Sequence, residues 1–178
     1  MTTSLVLTFI GEDKPGLVEL LSHTVAEHDG NWLESKMSRM AGRFAGILRA
    51  SVPDERADGL AAALERLESR GLHVRVERSS PVEADRRTRC LELELIGADR
   101  AGIVRDISRA LTRFGVNVEE LHTECTSAPM SGELLFRARA RLYVPETSSV
   151  SELHAALEEI AADLMVDVTL DEIREADD

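Results

Sequence analysis

A chain of 178 residues that carries one junction twice, 86 residues apart, has few folds open to it. Gly11-Glu12-Asp13-Lys14-Pro15-Gly16-Leu17-Val18 recurs as Gly97-Ala98-Asp99-Arg100-Ala101-Gly102-Ile103-Val104. The register holds through Ser22/Ser108, Asn31/Asn117 and Glu34/Glu120, with seven identities over residues 11–35. Two copies are too few for a solenoid, whose repeats bury their faces only by stacking in a longer series. A duplicated domain is the expectation, each copy with its own core.

Each copy reads the same way. Leu91, Leu93 and Leu95 alternate with Glu92 and Glu94, the period of a half-buried strand, and Leu5, Leu7 and Phe9 share that spacing. A helix follows, with Leu17, Val18, Leu21 and Val25 on one face, matched by Ile103, Val104, Ile107, Leu111 and Phe114. Asp13 and Asp99 stand where N-caps belong, their carboxylates available to orphan backbone N–H groups. Asp29-Gly30 and Gly115 supply the stops. Two strands come next, 31–40 and 43–52 around Ala41-Gly42, or 117–126 and 133–144 around the longer 127–132 loop. A second helix presents Leu60, Leu64 and Leu67, or Leu153, Leu157, Ile160 and Leu164. Strands Leu72–Arg78 and Met165–Leu170 close the copies.

The order β-α-β-β-α-β, twice, is the ferredoxin-like split unit of the α+β class. Right-handed crossovers then dictate an antiparallel sheet in spatial order 4-1-3-2 with both helices on one face. The domains are assigned as 1–78 and 90–173, with a linker at 79–89 and an acidic tail at 174–178. Arg137, Arg139 and Arg141 should point away from the helices towards Glu92 and Glu94, each pair stabilising by about 0.2–1 kcal/mol. Cys90 and Cys125 fall on strands separated by a third, beyond the ~7 Å that a disulfide spans.

Composition narrows the function. No apolar run approaches the ~20 residues of a membrane span, and no basic leader with a cleavage site opens the chain, so a cytoplasmic location is expected. Only Lys14 and Lys36 among the 21 basic residues are lysine, the imprint of a G+C-rich bacterial genome. The net charge of −12 is uneven: residues 1–80 hold 10 basic and 12 acidic side chains, residues 81–178 hold 11 and 21. An acidic chain without a basic patch is repelled by phosphate, so direct nucleic-acid binding is not expected. His23, His28, His73, His122 and His154 lack metal-ligand spacing. Ser22 and Ser108 have no nearby base, and no phosphate-binding glycine loop is present. No cofactor, metal or catalytic activity is therefore expected.

The architecture and the repeated Gly-x-Asp-x-x-Gly junction resemble the ACT domain, a ferredoxin-like module that usually senses amino acids. Paired copies, and the Ser127-Ala128-Pro129-Met130-Ser131-Gly132 loop before Leu134-Leu135-Phe136, are similar to the glycine cleavage system transcriptional repressor family. That resemblance implies a sensor of glycine or a similar small amino acid, acting through a LysR-type transcription factor and assembled as a homodimer. The tip Pro129-Met130 is the candidate partner contact, and Trp32 is assigned to the core or a dimer seam. The alternative is an interaction module whose ligand pocket has degenerated.

The junction can be judged on its chemistry. A free amino acid is a zwitterion, needing donors for its carboxylate and acceptors for its ammonium. Backbone N–H groups around Gly16-Leu17 and Gly102-Ile103, backed by a helix dipole, suit the carboxylate. Asp13 or Asp99 could take the ammonium, beside Lys14-Pro15 and Arg100-Ala101. Asn31 and Asn117 carry amides that both donate and accept. The resemblance implies that they face the junction across a domain–domain interface. Each residue has an equally weighted structural role: a cap, a turn or a satisfied strand entry. Pro15 and nearby Trp32 favour the first copy as the ligand site, with the second as scaffold.

Overall fold

The computed structural model describes residues 1–79, 88–128 and 132–173. The first copy runs β1 (Thr2–Glu12), α1 (Leu17–Ala26), β2 (Asn31–Met40), β3 (Arg43–Pro53), α2 (Ala57–Glu65) and β4 (Leu72–Ser79). The second runs β5 (Thr88–Ala98), α3 (Ile103–Arg113), β6 (Asn117–Ser127), β7 (Leu134–Pro145), α4 (Val150–Leu164) and β8 (Val166–Glu172). The sheets are ordered β2-β3-β1-β4 and β6-β7-β5-β8, antiparallel throughout, which is 4-1-3-2 read from the other end. The chain divides into two compact units.

Burial explains the order. Leu5, Leu7 and Phe9 present one face of β1 to Leu17, Leu21 and Val25 of α1 and to Leu60 and Leu64 of α2. Leu91, Leu93 and Leu95 of β5 meet Ile103 and Ile107 of α3 and Leu153 and Leu157 of α4. Each such side chain contributes about 1.5–3 kcal/mol on leaving water. The buried residues form two clusters, each drawn from one copy. Trp32 packs, half-buried, against the first.

The opposite sheet faces are open. In the second sheet Glu94 lies opposite Arg139 and Glu92 opposite Arg141. The Arg139 Nε donates to Glu94 Oε1 at 2.7 Å, and the carboxylate raises the guanidinium pKa above its ordinary value. Arg141 turns instead towards Glu120, at 3.9 Å. These exposed pairs are worth little individually. Cys90 is on β5 and Cys125 on β6, with β7 between them and no disulfide joining them.

The helix starts differ from expectation. Asp13 and Asp99 do not cap α1 and α3; the N-caps are Gly16 and Gly102, with φ of 91° and 103° and no side-chain cap bond. The chain passes from strand to helix through a left-handed residue, which glycine adopts without Cβ strain. Ser149 does cap α4, accepting from the Glu152 N–H at 3.3 Å. β4 continues through Ser79 and β5 begins at Thr88, so both strands reach into the expected linker. Met165, expected in the last strand, is a left-handed residue ending α4, and β8 begins at Val166. Pro129, Met130 and the 174–178 tail lie outside the described residues. No described helix is long and apolar enough to cross a membrane.

Candidate functional site

The first junction is tied down on three sides. The Asp13 N–H donates to the Gly42 carbonyl at 3.0 Å, fastening it to the β2–β3 turn. The Asp13 carboxylate meets Arg39 Nε, from β2, at 2.7 Å. The Lys14 ammonium donates to the Arg70 carbonyl at 3.0 Å, in the turn before β4. Gly16 then turns the chain into α1, whose first-turn N–H groups have no partner within the helix.

Two open depressions flank this turn. One, of about 320 Å³, is lined by Asp13, Gly16, Leu17, Val18 and Phe44. The other, of about 350 Å³, is lined by Lys14, Pro15, Leu20, His23 and Arg70. Cations and a carboxylate thus surround a helix N-terminus, a setting that suits a zwitterion. Glu19 is also close, its Oε2 4.0 Å from where a Cβ on Gly16 would stand, so an incoming anion meets an acidic neighbour.

The second junction repeats the frame but not the opening. The Asp99 N–H donates to the Leu134 carbonyl at 2.9 Å, and Arg100 reaches the Met165 sulfur at 3.8 Å. Here Arg105 grips Asp106 through two hydrogen bonds, 2.8 and 3.0 Å, with Arg109 at 3.8 Å. A Cβ on Gly102 would stand 3.0 Å from that guanidinium and 3.4 Å from the Asp106 carboxylate. The first turn of α3 is therefore covered by its own ion pair. The hydrogen bond from Arg105 holds the Asp106 carboxyl below the usual carboxylate range.

The asparagines are elsewhere in each copy. Asn31 opens β2 opposite Ser51, whereas the junction end of β1 lies opposite Phe44. Seven residues of β3 separate those levels, about 23 Å at strand rise. Asn117 pairs with Tyr143 while Ala98 pairs with Leu135, about 27 Å apart by the same measure. Within one copy no amino acid can touch both an asparagine and its junction. Arg39, Arg70 and Phe44 were missed as neighbours of the junction. Hairpin arithmetic around Ala41-Gly42 could have found Arg39 and Phe44, which are register partners.

Other candidates have local partners. The His28 ring N–H meets the Thr24 carbonyl at 2.9 Å, and His23, His73 and His154 each lie beside a glutamate. The Ser22 hydroxyl donates to the Glu19 carbonyl. A depression of about 640 Å³ on the outer face of the second sheet is framed by Glu94, His122, Glu124, Arg137 and Asp167, exposed charges of both signs.

Comparison with known proteins bears on the whole chain. Residues 3–77 match the ACT domain family model. A protein of unknown function from Galdieria sulphuraria is 30% identical, its crystal structure superposing with a TM-score of 0.83 over 98% of this chain and 100% of that one. A crystal structure described as a candidate glycine cleavage system transcriptional repressor superposes with a TM-score of 0.70 at 18% identity, covering 98% and 99%, which is a likeness of fold. Phosphoserine phosphatase SerB2 of Mycobacterium tuberculosis is 28% identical over 176 residues, 95% of this chain but 41% of the phosphatase. The chain spans about two-fifths of the length of that curated relative. By this match residues 3–77 form an ACT domain, and the second half of the chain repeats the same βαββαβ topology.

Proposed function

We propose that this chain is an amino-acid-responsive regulator whose first copy holds a small amino acid at Asp13–Leu17 and whose second copy acts as scaffold. The observation carrying this reading is the difference between the junctions: the α1 start is flanked by open depressions, while Arg105 and Asp106 cover the α3 start. The ligand carboxylate would lie on the first-turn N–H groups near Gly16, with Lys14 and Arg39 supplying positive charge. Its ammonium would compete with Arg39 for Asp13. Because Arg39 belongs to β2, such exchange couples occupancy to that edge strand, giving the ligand the differential affinity that any switch requires. A role for Asn31 or Asn117 needs the junction of a different copy.

In this reading the chain is a cytoplasmic homodimer and not an enzyme, glycine is the effector, and the output is repression through contact with a LysR-type transcription factor near Pro129-Met130. These finer assignments rest on resemblance to the glycine cleavage repressor. The phosphatase relative adds serine and phosphoserine to the ligands worth trying.

A thermal-shift screen of the amino acids and phosphoserine, followed by calorimetry, tests the proposal. A ligand at 100 times its dissociation constant should stabilise the chain by about 2.7 kcal/mol. We expect one site per chain and an affinity loss of about tenfold or more for Asp13→Ala, one charge-assisted contact's worth. Silence at millimolar concentrations would favour a ligand-free interaction module. That second reading has its own support: Asp13 and Lys14 already have partners in Arg39 and the Arg70 carbonyl.

A further inference from the structure

The two copies differ between the first helix and the end strand of the sheet. In the first, Trp32 and Met37 on β2 pack against the core and close this seam. Their register equivalents on β6 are Val118 and Thr123, as Trp32 and Met37 oppose Ala50 and Gly46 where Val118 and Thr123 oppose Leu142 and Ala138. Val118, shorter than Trp32, and Leu121 line an apolar slot of about 30 Å³ between α3 and β6, enough for the tip of one aliphatic side chain. At its mouth Val104, Val118 and Leu121 remain 44%, 39% and 53% exposed.

The strand beside this slot is open. β6 is an end strand, and ten of its eleven residues are exposed. Beyond a bulge between Val118 and Glu120, its pairing with β7 is regular to Ser127. Strand edges present backbone donors and acceptors to any extended segment that can align with them. Residues 117–127 contain Glu119, Glu120 and Glu124 and neither lysine nor arginine. A second copy of β6 centred antiparallel on His122 would set Glu120 against Glu124, an unfavourable like-charge pairing. A basic strand would meet opposite charge instead.

We infer that β6 is a docking edge for an extended segment of a partner protein. The segment carries lysine or arginine at the positions beside Glu120 and Glu124. Alternate aliphatic residues lie over Leu121, and one of them inserts its tip between α3 and β6. Backbone pairing supplies affinity, and the slot on the helix side together with Glu120 and Glu124 on the outer side supplies selectivity. The inference rests on the reading that this chain works through a protein partner. It does not depend on amino-acid binding at Asp13–Leu17, so failure of either leaves the other standing.

The test uses the full chain and a labelled peptide alternating valine with lysine, about eight residues long to match a strand. Fluorescence anisotropy should show saturable binding, and hydrogen exchange should show new protection of amides 120–126. Val118→Trp with Thr123→Met, which installs the first copy's residues, should weaken binding about tenfold or more. The second probe, Glu124→Lys, should weaken it as well, and an alternating valine–glutamate peptide should not bind. The inference is overturned if the lysine peptide fails to bind, or binds the double variant equally well. It is equally overturned if attachment brings no protection of β6, which marks mere attraction to an acidic chain. A concentration-dependent dimer that protects β6 and is abolished by the double variant would make a second copy the occupant, and would also sink it.

Discussion

Gly11 and Gly16 lie in the same short motif but are required for different reasons. A Cβ on Gly11 would stand 2.7 Å from the Gly71 carbonyl oxygen and 3.0 Å from Leu72 Cδ1, so space excludes a side chain there. Gly16 has nothing nearer than 4.0 Å, but its φ of 91° is left-handed. Gly16→Ala should therefore cost about 1–2 kcal/mol through backbone strain, and Gly16→Asn should recover part of it, since asparagine tolerates that region. Gly11→Ala should cost about 1–3 kcal/mol through overpacking, with no recovery by asparagine. Chemical denaturation of the four variants distinguishes conformation from space. The pattern of glycines was legible in the motif; which kind of constraint each one meets was not, because that depends on what packs above it.

At the scale of elements, α1 and α3 occupy equivalent places and present different first turns. Glu19 and Leu20 in α1 are replaced by Arg105 and Asp106 in α3. The substitution was visible in the sequence, but whether those neighbouring side chains would bond each other or reach into solvent was not. Their pairing makes a pH prediction. Asp106 has its folded-state pKa depressed, first through the Arg105 hydrogen bond, so its contribution is present above the ordinary carboxylate pKa of about 3.9. It is lost as the pH falls through the depressed value. Asp106→Asn should thus be slightly less stable than the parent near neutral pH. The gap should close as the pH falls through that depressed value, as measured by thermal melts across the acid range. The pair is exposed, so the gap is small and should shrink with added salt.

At the scale of the molecule, the described buried residues form two cores rather than one. Trp32 is the only tryptophan and packs against the first, so its fluorescence reports on that copy. Leu48 on β3 and Leu142 on β7 are fully buried, each in the core of its own copy. Leu48→Ala should lower the Trp32 unfolding midpoint, losing about 2–5 kcal/mol, whereas Leu142→Ala should leave that midpoint in place while destabilising the second copy by a similar amount in far-UV circular dichroism. A shared shift for both variants would mean that the copies unfold as one unit.

The sequence alone determined the duplication, the alternation of strands and helices, the sheet order and the outward arginines. Those features follow from periods of two and 3.6 residues and from the handedness of crossovers, all properties of local pattern and chain connectivity. Only the tertiary structure decided that Gly16 and Gly102, rather than Asp13 and Asp99, begin the helices, and that Arg39 takes the Asp13 carboxylate. It also set Asn31 and Asn117 at the sheet end remote from their own junctions and left the slot beside β6 unfilled. Each of these depends on side chains from separate elements meeting at a particular angle and depth. No spacing within one segment encodes which neighbour arrives first, because packing, not periodicity, chooses it.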